Sequence, residues 1–453
     1  MRKDGEPYAI SAIINDWKSG KIYKTAVLAD TYDRQENKTI CEFAPMYHTM
    51  MGIKQVDPTA TNTKIASNFF RRLNVQRNTY SLGNGVSFDN EATKEKFGDK
   101  FDTELIKIGY KALIHGQCFG FWNGKLNCFP VAETKINGGF APLCDEETGS
   151  VMAGIRFWQI DSDKPEFAVV YEEDGYRKWR KKEKDFEPIT KKQAYMVDIQ
   201  HTEADGDEVV GERNYSNIPI VSLYGSDLQQ STLIGLRSQI DAYDIVNSGF
   251  ASDIQDVAQI YFLIENYGGM THEDLAKFRE RLKLMHIAEA DTSEGGKITP
   301  YQQEVPHGAI DAFLDRTRQQ IYDDFGAFDV RGFSSGAKTA TEIDAAYQPL
   351  DENADDFEAQ IIEFVQTLGA LIGIDEADCM PLFKRNKISN ATEQMQALAM
   401  ADWLDEETKV KHTPFITVDE QQEVLERLDA AAVERMSGFN APVAPQEGTG
   451  TEE

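Results

Sequence analysis

The stretch from Ser231 to Gly373 constrains the fold more than any other part of the chain. Apolar residues recur there at steps of three and four, the spacing that lays one stripe along one face of a helix. The first run is Leu233, Leu236, Ile240, Tyr243, Val246, Phe250, Ile254 and Val257. The second uses Ile310, Phe313, Leu314, Ile321 and Phe325, and the third Ile343, Tyr347, Leu350, Ala354, Phe357, Ile361, Phe364, Leu368 and Leu371. The third run passes through Pro349. Proline has no N–H for the carbonyl of Ala345 and crowds it, so a kinked helix is expected rather than a broken one. Asp241, Asp244, Asp253 and Asp256 also follow helical spacing, but on another face of the first run. One side is therefore expected to pack and another to be acidic. Helices this long need neighbours to cover their stripes, from the same chain or from other subunits.

A loop, Gly326-Ala-Phe-Asp-Val-Arg-Gly-Phe-Ser-Ser-Gly-Ala-Lys-Thr339, joins the second and third runs. Gly332, Ser334, Ser335 and Gly336 make it flexible. Arg331 and Lys338 are its cations, and Phe328 and Phe333 are apolar residues that a solvated connection does not need. It reads either as an ordinary connection or as a contact loop whose cations can meet phosphates.

The rest of the chain is mixed. Helices are expected at 10–17, 64–80 and 101–116, and short strands at 118–122, 125–129, 154–160 and 167–171, with Asn123-Gly124 as a hairpin turn. This describes an antiparallel α+β body. A basic run from Arg177 to Lys192 interleaves Tyr176, Trp179 and Phe186, as a nucleic-acid patch would, but Glu172, Glu173, Asp174, Glu183, Asp185 and Glu187 intermix with it. A hairpin with cross-strand ion pairs is the simpler expectation. The insert at 258–306 reads as a small strand–helix–strand unit, helices return after Ser389, and the Pro/Gly/Thr/Glu-rich end is expected to be disordered.

At 453 residues the chain has room for two or three domains. No apolar run approaches the ~20 residues of a membrane span, and no signal-peptide pattern follows Met1. The five cysteines are scattered, without a C-x-x-C pair, and are expected to be reduced thiols. The net charge is −29. A conventional nucleic-acid binder shows a basic face. A conduit has the opposite need, since many phosphate contacts would hold the polyanion in place, while an acidic wall repels it over a Debye length of ~8 Å.

Catalytic patterns are weak. Gly332 to Thr339 departs from a nucleotide P-loop because Ala337 separates the second glycine from Lys338 and because a helix, not a strand, precedes it. The seven histidines show no metal-ligand spacing, and no cofactor is expected. The acidic stretch at 351–356, with Asp351, Glu352, Asp355 and Asp356, has two readings. It is a solvated helix face, or it binds a divalent cation in a metal-dependent nucleic-acid-processing enzyme.

Several segments together resemble the portal proteins of tailed double-stranded DNA bacteriophages, the SPP1-like portals of phages of Gram-positive hosts. They are Asn68-Phe-Phe-Arg-Arg-Leu through Tyr80-Ser-Leu-Gly83-Asn-Gly85, Leu105 to Cys118 with Gly116, Asn217-Ile-Pro-Ile-Val221 ahead of the first long run, and Gly332-Phe-Ser-Ser-Gly336. The resemblance covers roughly residues 15–435 and lies in the order and spacing of the set. It implies an α+β portal fold: a wing at 1–230, stem helices at 231–257 and 307–325, an α/β clip at 258–306 and a tunnel loop at 326–339. A long kinked wing helix and its connection would occupy 340–389, a helical crown 390–436 and a tail 437–453. It further implies a ring of about twelve subunits at one capsid vertex. Double-stranded DNA would pass through it, pumped by the terminase large subunit. A head-completion adaptor, a scaffold and the major capsid protein would be its other partners. In that frame Arg331, Phe333 and Lys338 would meet DNA or a neighbouring loop, and the acidic stem face would keep DNA from adhering.

Overall fold

The computed structural model describes residues 7–48, 51–57, 60–145, 147, 149–183, 185–202, 206–257, 261–265, 273, 297–301, 306–333, 340–385, 387, 391–401, 403–411, 413, 424 and 427–428. Helix and antiparallel sheet are mixed throughout, so the chain is α+β. It divides into two compact units. One comprises Met1–Phe328 with Pro349–Asn386, the other Asp329–Gln348 with Lys387–Glu453.

The first unit opens with helices α1 (Pro7–Ser19), α2 (Lys21–Asp33) and α3 (Lys38–Glu42), then a small hairpin of β1 (Met46–His48) and β2 (Lys54–Val56). Helix α4 (Phe69–Leu82), strand β3 (Val86–Ser87) and helices α5 (Glu91–Phe97) and α6 (Phe101–His115) follow. Strands β4 (Gln117–Trp122) and β5 (Leu126–Pro130) form the hairpin expected at Asn123-Gly124. Six further strands make an antiparallel sheet in chain order: β6 (Ala132–Glu133), β7 (Gly138–Cys144), β8 (Val151–Trp158), β9 (Phe167–Glu172), β10 (Gly175–Lys182) and β11 (Asp185–Pro188). Strands β12 (Met196–Thr202) and β13 (Gly206–Arg213) pair with each other, and β14 (Ile220–Tyr224) joins the edge of β4.

Three buried clusters hold this unit. The six-stranded sheet packs Phe140, Phe157, Trp179 and Phe186 against Ile10 and Ile14 of α1. The α6 stripe of Leu105, Ile108 and Ala112 meets Cys118, Leu223 and the distant Phe357, Ile361, Phe364 and Leu368. The third cluster gathers Phe69, Phe70 and Leu73 with Leu233, Leu236, Ile240, Ile321 and Phe325. The basic run settles as the β10–β11 hairpin. Trp179 and Phe186 are in the core, not offered to bases, and Lys181 pairs with Glu166 at 2.9 Å, Lys192 with Glu172 at 2.7 Å and Lys182 with Glu187 at 3.5 Å.

One buried charge was not foreseen. Asp30 on α2 receives Lys111 Nζ at 2.8 Å and Thr134 Oγ1 at 3.1 Å, and lies 2.9 Å from His115 Nε2. Burial alone would raise its pKa, but the His115 and Lys111 contacts outweigh it and hold the carboxyl well below the usual range. Burial lowers the pKa of His115 although Asp30 opposes it.

The long runs fold as helices α7 (Leu233–Val257), α8 (His307–Phe325) and α9 (Ala340–Leu371). Ser231 caps α7, its hydroxyl accepting from Leu233 N at 3.2 Å and donating to Ile114 O at 2.6 Å, which fastens α7 to the end of α6. Between α7 and α8, β15 (Tyr261–Glu265) pairs antiparallel with β16 (Lys297–Tyr301). The middle of the expected strand–helix–strand insert, 266–296 apart from Glu273, lies outside the described residues. After α9 come β17 (Leu382–Phe383), paired with β3, and helices α10 (Ala391–Met400) and α11 (Glu406–Lys411). Most of 412–453 lies outside the described residues.

Candidate DNA-channel segment

Helices α7 and α8 run antiparallel. Gln239 near the start of α7 donates to Asp324 near the end of α8, and Phe250 lies 5.5 Å from the His307 ring at the other end. Residues 60–68, expected to begin a helix at Lys64, instead form an extended strap along α7. Thr63 N donates to Ser252 Oγ (3.0 Å), Ile65 N to Ser248 Oγ (3.0 Å) and Ser67 N to Asp244 Oδ1 (2.9 Å). The match is geometric: four helical residues rise about 6 Å, two extended residues about 6.6 Å. Every second strap amide therefore meets every fourth α7 side chain.

This corrects the reading of an open acidic face. Asp244 is fully buried and also accepts from Asn37 Nδ2 at 2.5 Å; burial raises its pKa against those hydrogen bonds. Asp241 accepts from Tyr32 (2.5 Å) and Thr39 (2.7 Å) and lies 3.5 Å from Arg237. Both carboxylates face partners inside the chain because α2, α3 and the strap cover that side. Asp253 is exposed. Asp256 is in α7 by backbone, with its side chain outside the described residues.

The connection leaving α8 begins at Gly326, whose φ is +64°. A Cβ there would approach Asn353 Nδ2 to 2.2 Å, so only glycine fits between the two helices. Asn353 Nδ2 bridges Phe325 O (3.0 Å) and Pro349 O (3.1 Å). Phe328 is buried and Gln76 Nε2 donates to its carbonyl at 3.0 Å, so the loop's first residues are anchored. Val330–Phe333 form a short 3-10 turn containing Arg331, Gly332 and Phe333, with Arg331 exposed. Ser334, Ser335, Gly336 and Lys338 lie outside the described residues. Helix α9 runs through Pro349.

The acidic stretch on α9 is a set of ion pairs. Arg385 grips Glu358 with Nε at 3.0 Å and Nη2 at 2.8 Å, reaches Asp351 at 3.1 Å and also pairs with Asp355. These bonds, led by Glu358, raise the Arg385 pKa. Tyr80 donates to Asp351 at 2.6 Å. Asp356 lies 3.6 Å from buried Arg77 and accepts from Asp227 N at 3.1 Å. With arginines already compensating these carboxylates, the reading of 351–356 as catalytic metal ligands is withdrawn. Among the described residues, no three His, Cys, Asp or Glu side chains converge as a metal site. No described helix is long and apolar enough to cross a membrane. Arg385, Arg77 and Asn37 carry no sequence signal of their roles, because each acts across tens to hundreds of residues.

Residues 24–435 match the family model for phage portal proteins of the SPP1 Gp6-like type. The chain belongs to that family. The portal protein of Bacillus phage SPP1 is 20% identical over 413 residues, 83% of this chain and 78% of that protein. The portal protein of Clostridium phage phiCD119 is 25% identical over 228 residues, 48% of this chain and 50% of that protein, so that match spans half of its length. The family is one of phage portal proteins and not of enzymes.

Proposed function

We propose that the chain forms the ring-shaped DNA channel at the unique vertex of a phage capsid. The family match over residues 24–435 carries this reading. The antiparallel α7–α8 pair supports it as the stem, with the β15–β16 pair as the base of the clip at 258–306. In this reading about twelve copies close the ring. Residues 1–230 are the wing, 340–389 the long kinked wing helix and connection, and 390–436 the crown. The clip takes the terminase large subunit during packaging and a head-completion adaptor afterwards. The wing meets scaffold and major capsid protein. Assembly occurs in the host cytoplasm, and the ring stays in the virion for DNA ejection.

The tunnel loop is 326–339, entered through the Gly326–Asn353 contact and left into α9 ahead of Pro349. Arg331 and Lys338 are its cationic contacts to passing phosphate, with Phe333 beside them. Exposed Asp253, with Asp256 by helical spacing, is what remains of the acidic stem face. The test is packaging into procapsids, read as nuclease-protected DNA. Lys338→Glu is expected to leave ring assembly intact and to reduce protected DNA. Normal packaging by Lys338→Glu rings would remove the contact role from the loop.

A further inference from the structure

The β1–β2 hairpin carries apolar side chains that stay in solvent. Met46 is 61% exposed, Met51 87%, Ile53 56% and Val56 55%. The register sets Met46 opposite Val56, so these two share one face, and the period-two alternation puts Lys54 on the same face. A lone two-stranded hairpin is marginal in water, and exposed apolar side chains held on one mark it as an interaction surface. The base of the hairpin is tied down: Asn62 Nδ2 donates to Phe43 O at 3.2 Å, and Thr63 N to Ser252 Oγ at 3.0 Å. Ser252 is two residues from Phe250, which stacks edge-on against His307 at the start of α8. The base of the hairpin is therefore level with His307, where the N-terminal half of α8 begins. That half exposes Phe313 (41%) beside half-buried Ile310, flanked by exposed Asp311 and Asp315.

The geometry points to the hairpin as an arm that seats on the N-terminal half of α8 of the adjoining copy of this chain. The inference rests on the ring reading, with α7 and α8 running along the ring axis. Rotation about that axis preserves height, so an arm that leaves the body beside the start of α8 on one copy arrives beside the start of α8 on the next, within about two helical turns of Phe313. The two surfaces differ from each other, which suits a head-to-tail contact that closes a ring and not a two-fold pair. Met46 and Val56 would cover Phe313 and Ile310, and Lys54 would face Asp311 and Asp315. A neighbour so held would be fixed where α7 ends and α8 begins, beside the insert.

The test uses the full-length chain. Wild type, Met46→Asp/Val56→Asp and Phe313→Asp are compared by native mass spectrometry. Loss of the ring species in both variants, with the thermal midpoint of the single chain unchanged, is expected. A second measurement places a photo-crosslinking amino acid at position 51 and mixes isotopically light and heavy copies. Crosslinks joining light to heavy chains within 307–318 are expected. Rings that form normally in Met46→Asp/Val56→Asp, or crosslinks confined to one chain or to other segments, overturn the inference while leaving the ring reading standing. A wild-type chain that forms no ring overturns both.

Discussion

Replacing Asp244 with alanine tests whether the strap clamps α7. The carboxylate accepts from Ser67 N, which is part-buried, and from Asn37 Nδ2, which is buried. Truncation leaves the Ser67 amide without its acceptor, while Asn37 keeps its bond to Ser67 O at 3.0 Å. An orphaned buried donor costs about 1–3 kcal/mol, and a bond to a charged acceptor contributes about 1.5–3 kcal/mol. Relief of the buried charge, evident in the raised Asp244 pKa, returns part of this. The net expectation is a loss of about 2–4 kcal/mol. Ser248→Ala and Ser252→Ala each remove one neutral bond, worth about 1 kcal/mol. Asp244→Asn keeps one acceptor and should fall between. Urea unfolding should show lower midpoints at unchanged slope. Hydrogen exchange should show Ser67 losing protection in Asp244→Ala, Ile65 in Ser248→Ala and Thr63 in Ser252→Ala. An Asp244→Ala change within about 0.5 kcal/mol, or strap amides that exchange freely in the wild type, would refute the clamp.

Two further outcomes follow from the buried charges. Arg385→Ala leaves Glu358 and Asp351 without their arginine and should cost about 2 kcal/mol, read by the same unfolding assay; Arg385→Lys, which cannot hold Glu358 through two nitrogens, should recover only part. Asp30 has a depressed native pKa, so its stabilisation is complete above the unfolded value near ~3.9 and is lost as pH falls through the native one. His115 also has a lowered native pKa, so its contribution holds above ~6.5 and fades below it. Unfolding midpoints should therefore fall from pH 7 to pH 4, and Asp30→Asn should lower the pH 7 midpoint and flatten the slope below pH 4.

The long helices were legible because packing stripes repeat locally: Leu233 to Val257 and Ile343 to Leu371 each announce one face. The β4–β5 hairpin was legible for the same reason, through Asn123-Gly124 and alternating apolar residues. Asp241 and Asp244 were misread because spacing reports which residues share a face, not what covers it. Their covers, Tyr32, Asn37 and the strap, lie about 180 to 210 residues away, and a strap of Thr, Lys, Ile, Ala and Ser has no periodicity of its own. The acidic run at 351–356 was ambiguous for the same reason, since Arg385 and Arg77 come close only after α9 packs on α4 and α6. Helices α2 and α3 were missed because Lys21–Asp33 is only weakly striped, and its burial comes from Tyr23, Ala26, Ala29 and Tyr32 meeting α6 and the sheet.

The central claim is that this chain closes into a ring around a DNA channel. Native mass spectrometry of the purified particle, with single-particle images of the same sample, tests it most directly. The account predicts a mass that is an integer multiple of the 51.0 kDa chain and a closed ring with an open centre. A stable closed dimer, or a particle with no central opening, would contradict it.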